Sequence, residues 1–487
     1  MVALSETINR TSSFVCGNSK ADRKKYGQFF TPGTTAKFMA SMFDIDMDRR
    51  SLKVLDAGAG SGILSVALIS RMRESGYNGN IHLVCYENDV KVLGLLEENL
   101  ASIKDANFSF EIRQENYITS QPFGNKASIF AQANMDEYDL IIGNPPYKKI
   151  SKDAPEAKHM PEVCYGAPNL YFLFWAMGIY NLKEGGELVY IIPRSWTSGA
   201  YFEKFRKYLL AHGIITRIHL FGSRDKVFDG DSVLQETIIV KIKKEQTFPK
   251  KIRMSFSQTS NFSDIRFFDV DYNTIVAPNG YIYLVTNQKE IEVLSTLGKL
   301  SETLVSDDLR MKTGIIVDFR TREVLRSKGE KGAYPLFYAQ HIKDGRIKWP
   351  TGKEDEYICT DKSGYLQENA NYLFIKRFTS KEEKRRLQCG IYLRSDYPEY
   401  KYISTQNKIN YIKCNSMEEV FGLYVLLNST IYDQYYRILN GSTQVNSTEI
   451  NKMPVPSKDT ICLMGRELIG KDYSELTCNR ILSRWIR

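Results

Sequence analysis

The stretch V-L-D-A-G-A-G-S-G (54–62) decides the fold class, because an apolar run turns there directly into a glycine-rich loop. The run up to Gly58 predicts a buried strand, and I-L-S-V-A-L-I-S-R-M-R-E-S-G (63–76) predicts a helix that ends at a glycine. The glycines of the loop let the backbone approach a ligand closely. Their G-x-G-x-G spacing differs from the dinucleotide pattern G-x-G-x-x-G, and it favours a nucleoside-binding loop over a tight turn in an unrelated α/β enzyme.

The alternation of strand and helix continues outward from this loop, from about residue 51 to residue 243. Such alternation predicts an α/β layer fold with a mostly parallel sheet. Further strands are predicted at 81–87, 108–114, 138–143, 187–193, 214–221 and 233–244. Further helices are predicted at 90–103, 169–186 and 201–213, the second of which ends at a glycine pair.

The composition sets broad limits on the function. The chain has 487 residues, 43% of them hydrophobic, and its 66 basic and 57 acidic residues give a net charge of +9. That mild basic excess suits a nucleic-acid partner but also many ordinary enzymes. Eight cysteines without a C-x-x-C pair argue against a zinc site and suit reduced thiols. The absence of a secretory pattern and of a long apolar run predicts a soluble, cytoplasmic protein with no membrane partner.

The character of the chain changes after about residue 244. Residues 1–25 are polar and predict an irregular N-terminal arm, whereas 26–245 carries the α/β pattern. The segment K-K-E-Q-T-F-P-K-K (243–251) is charged and contains a proline, so 246–275 is predicted to be a connector. The remainder, 276–487, is richer in tyrosine and lysine and lacks the β–α rhythm, which predicts a separate domain.

The strand at 138–143 leads directly into Asn144-Pro145-Pro146-Tyr147. Two prolines remove two backbone donors and fix φ, so this tetrapeptide is rigid. The side-chain oxygen of Asn144 and the main-chain oxygen of Pro145 can then accept both hydrogens of an aromatic amine such as adenine N6. This frees the nitrogen lone pair for attack on a methyl donor and stabilises developing charge without a metal. A strand-ending turn is the alternative, but parallel sheets bind ligands at this end of their strands.

Glu87 ends the strand at 81–87, which is the next strand after the glycine loop. A carboxylate at that position can accept hydrogen bonds from both hydroxyls of a ribose. Because the carboxyl ends of parallel strands meet at one edge of the sheet, Glu87 supports a nucleoside site beside the loop.

Three segments in this order, G-Q-F-F-T-P (27–32), D-A-G-A-G-S-G (56–62) and N-P-P-Y (144–147), resemble the gamma-class, TaqI-like DNA adenine-N6 methyltransferases of restriction–modification systems. The resemblance implies an α/β, class I S-adenosylmethionine (SAM)-dependent methyltransferase fold, Rossmann-like with a mostly parallel sheet, as the catalytic domain at 26–245. It implies a mixed α+β target-recognition domain at 276–487. The implied activity is methyl transfer from SAM to N6 of a flipped adenine in double-stranded DNA, which protects host DNA from a separate cognate restriction endonuclease.

The resemblance also implies which residues hold SAM. Thr31 would meet the methionine end, Glu87 the ribose and Asn88 the adenine ring. Where the family has Asp-Phe, this chain has Asn116-Tyr117, and the amide oxygen could still accept a hydrogen bond from the cofactor's amine. The whole set implied for the cofactor is Phe29, Thr31, Pro32, Asp56, Gly58, Gly60, Glu87, Asn88, Asn116 and Tyr117.

The implied pocket for the target base has two aromatic faces, Tyr147 and Phe228, the latter in K-V-F-D-G (226–230). Methylation of N6 requires extrusion of the base, because the paired amine is buried in the base stack. Asn144 and Pro145 would then meet the extruded amine between the rings. For Phe228 the alternative is a place in the core, where most phenylalanines lie.

A basic stretch at 371–413 indicates where the chain meets DNA. Its ten basic and four acidic residues give +6, and tyrosines stand among them. A solvated face is the alternative. The stretch resembles the recognition half of the family, as do G-S-T-Q-V-N (441–446) and M-K-T-G-I (311–315). Double-stranded DNA is therefore the expected partner, and the protein is expected to be a monomer.

Two other interpretations stay open. RNA and protein-glutamine methyltransferases also carry Asn-Pro-Pro-aromatic motifs, although the long basic C-terminal half favours DNA. An inactive DNA-specificity subunit would keep the fold without turnover, and the departure at Asn116 leaves room for it. The sequence has no convincing P-D…D/E-x-K nuclease cluster, so DNA cleavage is not expected.

Overall fold

The computed structural model describes residues 2–17, 30–124, 136–222, 236–306, 308–380, 382–441 and 443–486. The chain divides into two compact units, Met1–Thr286 and Asn287–Arg487, each with a hydrophobic core. Phe29 and Phe228, two of the residues implied for the site, lie outside the described residues.

The first unit is built on one sheet, to which its described residues contribute nine strands. They are β1 (Ser51–Ala57), β2 (Asn80–Tyr86), β3 (Phe108–Arg113), β4 (Tyr138–Gly143), β5 (Leu182–Pro193), β6 (Ile214–Phe221), β7 (Thr237–Lys243), β8 (Lys251–Ser257) and β9 (Arg266–Asp271). Their order is β3-β2-β1-β4-β5-β7-β6-β8-β9. Within these described strands, β7 lies antiparallel to both neighbours, β8 and β9 are antiparallel, and the other five pairs are parallel, which confirms the predicted mostly parallel sheet.

The centre of the sheet determines where a ligand can bind. All residues of β4 are buried, as expected for a parallel strand that is covered on both faces. From β1 the chain builds toward β2 and β3 on one side, whereas β4 and β5 lie on the other side. Where the strand order reverses in this way, the carboxyl ends of the strands border a crevice.

The described helices of the first unit are α1 (Val2–Gly17), α2 (Gly33–Ser41), α3 (Ile63–Glu74), α4 (Val90–Ala101), α5 (Pro155–His159), α6 (Leu170–Tyr180), α7 (Glu203–His212) and α8 (Tyr272–Ile275). Helix α3 begins after Gly62, whose φ of 75° favours glycine. It is followed by Gly76 with φ of 93°, a common conformation just beyond a helix end. The helix predicted between two glycine boundaries is therefore present.

The prediction of an irregular arm at 1–25 is wrong for residues 2–17, which form α1. Leu4, Thr7 and Thr11 recur at helical spacing and are buried, and α1 packs against α3 and α4. Threonines on the packing face made the segment look polar, so its amphipathic pattern was hidden.

The helix predicted at 169–186 ends earlier, at Tyr180, and β5 follows almost at once. Gly185 lies inside β5 with φ of 79°. The pairing of β5 with β4 shifts its register between Tyr138 and Leu140. The glycine pair therefore accommodates a bulge in a strand and does not stop a helix.

The prediction of a connector at 246–275 is wrong, because β8 and β9 lie within that range and pair with the sheet. Charged residues alternate with buried ones at the start of K-I-R-M-S-F-S (251–257), as in a strand with one solvated face. The two units divide instead between Thr286 and Asn287.

The second unit has a mixed α+β fold, as predicted for the C-terminal domain. Its described strands are β10 (Glu302–Thr303), β11 (Met311–Thr313), β12 (Leu325–Arg326), β13 (Ala333–Phe337), β14 (Ile342–Lys343), β15 (Arg346–Ile347), β16 (Tyr357–Cys359), β17 (Gln367–Glu368), β18 (Asn371–Lys376), β19 (Cys389–Tyr392), β20 (Tyr402–Thr405), β21 (Ile409–Cys414) and β22 (Pro454–Val455). Its described helices are α9 (Gln288–Leu297), α10 (Met417–Leu427), α11 (Thr430–Leu439), α12 (Ser447–Asn451), α13 (Lys458–Leu468) and α14 (Glu475–Trp485). The strands form sheets of order β11-β21-β18-β19-β15-β14 and β12-β16-β13-β20-β17, and β10 pairs with β22.

Helices α10 and α13 of the second unit touch through glycines. A Cβ added to Gly422 would lie 1.9 Å from the carbonyl oxygen of Ile461, and one added to Gly465 would lie 1.9 Å from that of Glu418. Both distances are far inside van der Waals contact with backbone atoms. The close packing of these two helices therefore requires glycine at both positions.

We expect Gly422→Ala to destabilise the protein by more than about 2 kcal/mol, because the helices must separate to admit the methyl group. Urea unfolding followed by circular dichroism measures the change. Gly364→Ala is the matched control, because no atom lies within 4 Å of its added Cβ. An unfolding midpoint for Gly422→Ala that equals that of the control would contradict the prediction.

Candidate cofactor and catalytic site

A cavity of about 460 Å³ lies at the carboxyl edge of the large sheet. Much of its wall is formed by residues at the carboxyl ends of four neighbouring strands, β1, β2, β3 and β4. The described residues that line it are Phe30, Gly58, Gly60, Tyr86, Glu87, Asn88, Asp89, Val90, Glu115, Asn116, Tyr117, Asn144, Pro145, Pro146, Lys148, Glu156, Leu170 and Phe174. The position is the one at which a sheet of this kind binds ligands.

The glycine loop after β1 is held against the end of β2. The backbone N–H groups of Gly58 and Ala59 both donate to the carbonyl oxygen of Tyr86, at 2.8 and 3.0 Å. Gly58 has φ of 76°, and a Cβ there would contact Phe174 and Pro146 across the cavity wall. The loop therefore needs glycine for its conformation, and the missing side chain leaves space for a ligand.

Glu87 is buried at the end of β2 and lines the cavity. Its two carboxylate oxygens accept hydrogen bonds from the backbone N–H groups of Gly60 and Asp89, both at 2.8 Å. Burial raises the pKa of this carboxyl, and these hydrogen bonds oppose that rise. The bonds fix the orientation of the carboxylate, and each oxygen keeps a further lone pair for a ligand hydroxyl.

Asn144 lines the cavity, and its amide is oriented by Thr31. The Nδ2 atom of Asn144 donates to Oγ1 of Thr31 at 3.1 Å, so Oδ1 points to the other side of the amide. Thr31 is itself buried and does not line the cavity. Its position differs from the direct contact with the cofactor that the family resemblance implied, and it contacts the catalytic candidate instead.

Tyr147 is half-buried, and its hydroxyl donates to the carbonyl oxygen of Ile191 in β5 at 3.0 Å. Its ring packs edge-on against Tyr171, with the ring centroids 6.2 Å apart. Burial raises the pKa of the Tyr147 phenol, which therefore stays protonated and able to donate. These contacts hold the end of the N-P-P-Y segment against the sheet.

The side chain of Asn116 is engaged by the protein. Its Oδ1 accepts hydrogen bonds from the backbone N–H groups of Ile118 and Thr119, at 3.0 and 3.2 Å. Its Nδ2 donates to Oε1 of Glu156 at 2.8 Å. The suggestion that the Asn116 oxygen accepts from the cofactor's amine is therefore not supported, because two backbone groups already occupy that oxygen.

Asp56 lies beneath the loop and does not line the cavity. Its Oδ2 accepts a hydrogen bond from Ser65 at 2.7 Å, whereas Oδ1 is buried without a partner among the described residues. Burial raises the pKa of this carboxyl to about 7, and the charge of Glu87 adds to the rise. The hydrogen bond of Asp56 is therefore with helix α3, and its side chain does not reach the cavity.

The charge of the lining favours a cationic ligand. Among the described lining residues four carry carboxylates, namely Glu87, Asp89, Glu115 and Glu156, and one, Lys148, carries an ammonium group. Such a lining attracts an ammonium or sulfonium group and repels phosphates. Such a lining fits a sulfonium compound better than a phosphorylated nucleotide.

The sequence predicted half of the lining. Gly58, Gly60, Glu87, Asn88, Asn116, Tyr117, Asn144, Pro145 and Pro146 line the cavity, whereas Thr31, Pro32, Asp56 and Tyr147 lie near it without lining it. Sequence reasoning missed Phe30, Tyr86, Asp89, Val90, Glu115, Lys148, Glu156, Leu170 and Phe174. Most of these lie close to predicted residues in the chain, but Glu156, Leu170 and Phe174 follow no strand and carried no motif.

In the second unit, the segments predicted to meet DNA come together. Phe378 and Gln444 form a β-bridge, and the N–H of Val445 donates to the carbonyl oxygen of Arg377 at 2.7 Å. The N–H of Arg377 in turn donates to the carbonyl oxygen of Lys408 at 2.9 Å. The K-R-F segment, the turn before β21 and the G-S-T-Q-V-N segment therefore lie side by side.

The basic stretch at 371–413 is only partly available to a partner. Arg386 is completely buried and bonds to Thr379 and Asn440. Arg385 donates to the carbonyl oxygens of Leu427 and Ser429. These two arginines join loops and helices of the second unit, so the count of +6 overstates the charge that its surface presents.

Two further findings concern metals and membranes. Within the described ranges, no group of three or more His, Cys, Asp and Glu side chains could hold a metal ion. None of the helices in the described part of the chain is both long and apolar enough to span a bilayer.

The strand order, the antiparallel β7 and the cavity at the reversal point define a class I SAM-dependent methyltransferase fold, as predicted. A solved structure of the type ISP restriction–modification enzyme LlaGI, a nuclease-deletion mutant in complex with a DNA substrate mimic, matches with a TM-score of 0.50. The match covers 91% of this chain and 54% of that chain at 12% identity, so it reflects the shared fold.

The particular family follows from the sequence comparisons. The profile of the Eco57I restriction-modification methylase family matches residues 63–228. The chain is 35% identical over 483 residues to the type II methyltransferase M.BsuBI of Bacillus subtilis, covering 96% of this chain and 95% of that one. It is 33% identical over 479 residues to the type II methyltransferase M.PstI of Providencia stuartii, covering 95% and 93%. The chain therefore belongs to the type II methyltransferases of restriction–modification systems, which confirms the resemblance.

We expect Asp56 to make folding stability fall as the pH rises from about 4 to about 7. The folded protein keeps the Asp56 proton until about pH 7, whereas the unfolded chain loses it near pH 3.9, so ionisation favours unfolding in that window. Relative to Asp56→Asn, the wild type should lose stability by roughly 1.4 kcal/mol per pH unit within the window and show no further loss above it. Urea unfolding of both proteins at pH values of about 5, 6, 7 and 8 measures the difference. A difference that stays constant would show that Asp56 is already ionised in the folded protein.

Proposed function

We propose that this protein transfers a methyl group from SAM to N6 of an adenine extruded from double-stranded DNA. The observation that carries the proposal is the position of Asn144 and Pro145 in the wall of a cavity whose charge suits a sulfonium compound. Family membership and the glycine loop support the assignment of SAM as the cofactor. When bound, SAM supplies an electrophilic methyl group.

Asn144 and Pro145 act on the amine of the target base. The Asn144 Oδ1 and the Pro145 carbonyl oxygen each accept one N6 hydrogen, which draws the nitrogen toward a pyramidal shape and localises its lone pair. Both acceptors are fixed in advance: the hydrogen bond to Thr31 orients the amide, and two prolines hold the backbone. Fixed acceptors stabilise the positive charge that develops on nitrogen without further reorganisation.

Tyr147 offers a flat face for stacking with the extruded base. Its hydroxyl is bonded to β5 and its ring packs against Tyr171, so little rotational entropy is lost when a base stacks on it. Extrusion is required in any duplex, because paired N6 lies inside the stack. Phe228 remains the proposed second face and lies outside the described residues.

The second unit offers a surface suited to DNA, which we call the basic aromatic surface and define by Ile315, Phe319, Arg320, Arg377, Phe378 and Lys408. The side chains of Phe319 and Phe378 are 69% and 45% exposed, and each lies within 5.5 Å of a neighbouring guanidinium. Hydrogen bonds and bridges among 314–316, 377–379 and 405–408 hold these loops at one edge of the sheet. Cations bind phosphates, and exposed aromatic rings can contact bases.

The proposed biological role is protection of host DNA from a cognate restriction endonuclease that acts separately. As part of the same proposal, the protein acts in the cytoplasm as a monomer. Methylation of duplex DNA, tRNA, rRNA and release-factor protein, tested side by side, distinguishes this proposal from an RNA or protein-glutamine methyltransferase. SAM binding without turnover on any of these would favour an inactive specificity subunit.

We expect Asn144→Ala to lower kcat for DNA methylation by at least about 100-fold, because it removes one of two transition-state acceptors. SAM affinity, measured by calorimetry, should change less than about threefold, since the lost contact is to the target amine. Single-turnover transfer of a radiolabelled methyl group to duplex DNA measures the rate. Full activity of Asn144→Ala would refute the mechanism.

Thr31 provides a graded control for this prediction. Thr31→Val removes the hydroxyl that accepts from Asn144 Nδ2 and should lower kcat by roughly tenfold without a matching loss of SAM affinity. Thr31→Ser keeps the hydroxyl and should restore most of the rate. Equal rates for the valine and serine variants would show that the hydrogen bond does not position the amide.

We expect Lys408→Gln to weaken binding to duplex DNA and to reduce the slope of log K against log salt concentration by about one. The probe is a duplex that carries the methylated sequence found by long-read sequencing of DNA from cells that express the protein. Fluorescence anisotropy at several salt concentrations measures the slope.

Lys471→Gln is the matched control, because this lysine is also exposed in the second unit but lies outside the basic aromatic surface. Its slope should equal that of the wild type. If both variants changed the slope equally, the basic aromatic surface would have no special role in DNA binding.

A further inference from the structure

The carboxyl edge of the sheet presents polar groups in a fixed order. From β4 to β3 the strand ends carry Asn144, then the glycine loop, then Glu87, then Asn116. If SAM binds as proposed, with its ribose at Glu87, the part of the ligand beyond the ribose lies toward the end of β3. That part is the adenine ring, whose exocyclic amine requires an acceptor.

The acceptor at the end of β3 is not Asn116 but its partner. Both hydrogen bonds to Asn116 Oδ1 come from backbone N–H groups, so the side chain turns its Nδ2 toward Glu156. The Oε1 atom of Glu156 accepts that bond at 2.8 Å, and Oε2 has no hydrogen-bond partner among the described residues. Glu156 lines the cavity beside Asn116 and is half-buried.

Glu156 is held in place by the packing of the short helix that carries it. Ala157, the next residue of α5, is buried in the first unit. His159, at the end of α5, donates from Nε2 to the carbonyl oxygen of Gln121 at 2.7 Å. Because Gln121 follows the turn that begins at Asn116, the helix and the turn are joined at two points. The carboxylate is therefore preorganised at the outer end of the cavity.

We propose that Glu156, positioned by Asn116, accepts a hydrogen bond from the exocyclic amine of the cofactor's adenine and selects a 6-amino purine over a 6-oxo purine. The inference rests on the proposed function, because it assumes SAM in the cavity. A carboxylate can accept a hydrogen bond from an amino group. A 6-oxo group is itself an acceptor, so its oxygen and the carboxylate would repel each other and binding would be weaker. Asn116 is a positioning residue, since its donated bond orients the carboxylate.

Calorimetry with two stable ligands tests this inference. The ligands are S-adenosylhomocysteine and S-inosylhomocysteine, which differ at position 6 of the purine. The wild type should bind the adenosyl compound at least about 30-fold more tightly, as expected for a hydrogen bond to a charged acceptor. In Glu156→Gln this preference should fall below about fivefold, because the glutamine amide can donate to the 6-oxo group as well as accept from the amine.

Glu115→Gln is the matched control, because Glu115 also lines the cavity at the end of β3. It removes the same charge and should leave the preference unchanged. Asn116→Ala should reduce the preference partly, with the Glu156 carboxylate still present. Unfolding temperatures of Glu156→Gln and Glu115→Gln should stay close to that of the wild type, since these side chains lie at the cavity surface, whereas Asn116→Ala also loses two hydrogen bonds to the backbone and should melt earlier.

The outcomes separate the inference from the function on which it rests. A wild-type preference that Glu156→Gln retains would overturn the role of Glu156 while leaving SAM as the cofactor. An equal loss in Glu115→Gln and Glu156→Gln would also overturn it, since general charge would then explain the effect. Failure of the wild type to bind S-adenosylhomocysteine at all would refute the proposed cofactor, and the inference with it.

Discussion

The parallel pairing of β1 with both β2 and β4 is the constraint on which the candidate site depends. Parallel strands end at the same edge, so the residue after each strand is brought to a common crevice. Here Gly58, Glu87 and Asn144 directly follow their strands, Asn116 follows β3 by three residues, and all four line one cavity although long stretches of chain separate them. The hydrogen bonds of the ladder thus determine the spacing of the groups that would bind nucleoside, sulfonium and target base.

The fold of the first unit was predicted well where burial alone determines the pattern. Strands such as 138–143 are apolar because both faces of the sheet are covered there, and the apolar run is visible in the sequence. The errors arose where tertiary contacts override local composition. Thr7 and Thr11 pack into a helix interface although they look polar, and the strand at 251–257 keeps charges on its solvated face. The residues near a threonine in the sequence do not indicate whether it is buried. Likewise, the residues of an outer strand do not indicate which strand it pairs with.

The candidate site was predictable to the extent that its residues are tied to strand ends. The glycine loop and the N-P-P-Y segment are recognisable in the sequence, because their backbone conformations restrict which residue types can occur there. Glu156 carries no such restriction, and its place in the cavity depends on α5 docking against the turn after β3. Asp56 shows the opposite error, a residue predicted to contact the ligand that does not line the cavity. Its position next to the loop suggested ligand contact, but its side chain points into the core toward Ser65.

The net charge of the chain indicated little about its ligands, and the structure explains why. The sum of +9 averages over local surfaces of opposite sign in the two units. Of the five charged residues that line the cavity among the described residues of the first unit, four are acidic, whereas the basic aromatic surface of the second unit presents Arg320, Arg377 and Lys408. Buried arginines such as Arg386 count toward the total, but they bond within the second unit and add no charge to its surface. An acidic cavity suits a cationic methyl donor, and a basic surface suits a polyanion. The charge around each surface, and not the net charge of the chain, therefore decides which ligand that surface can bind.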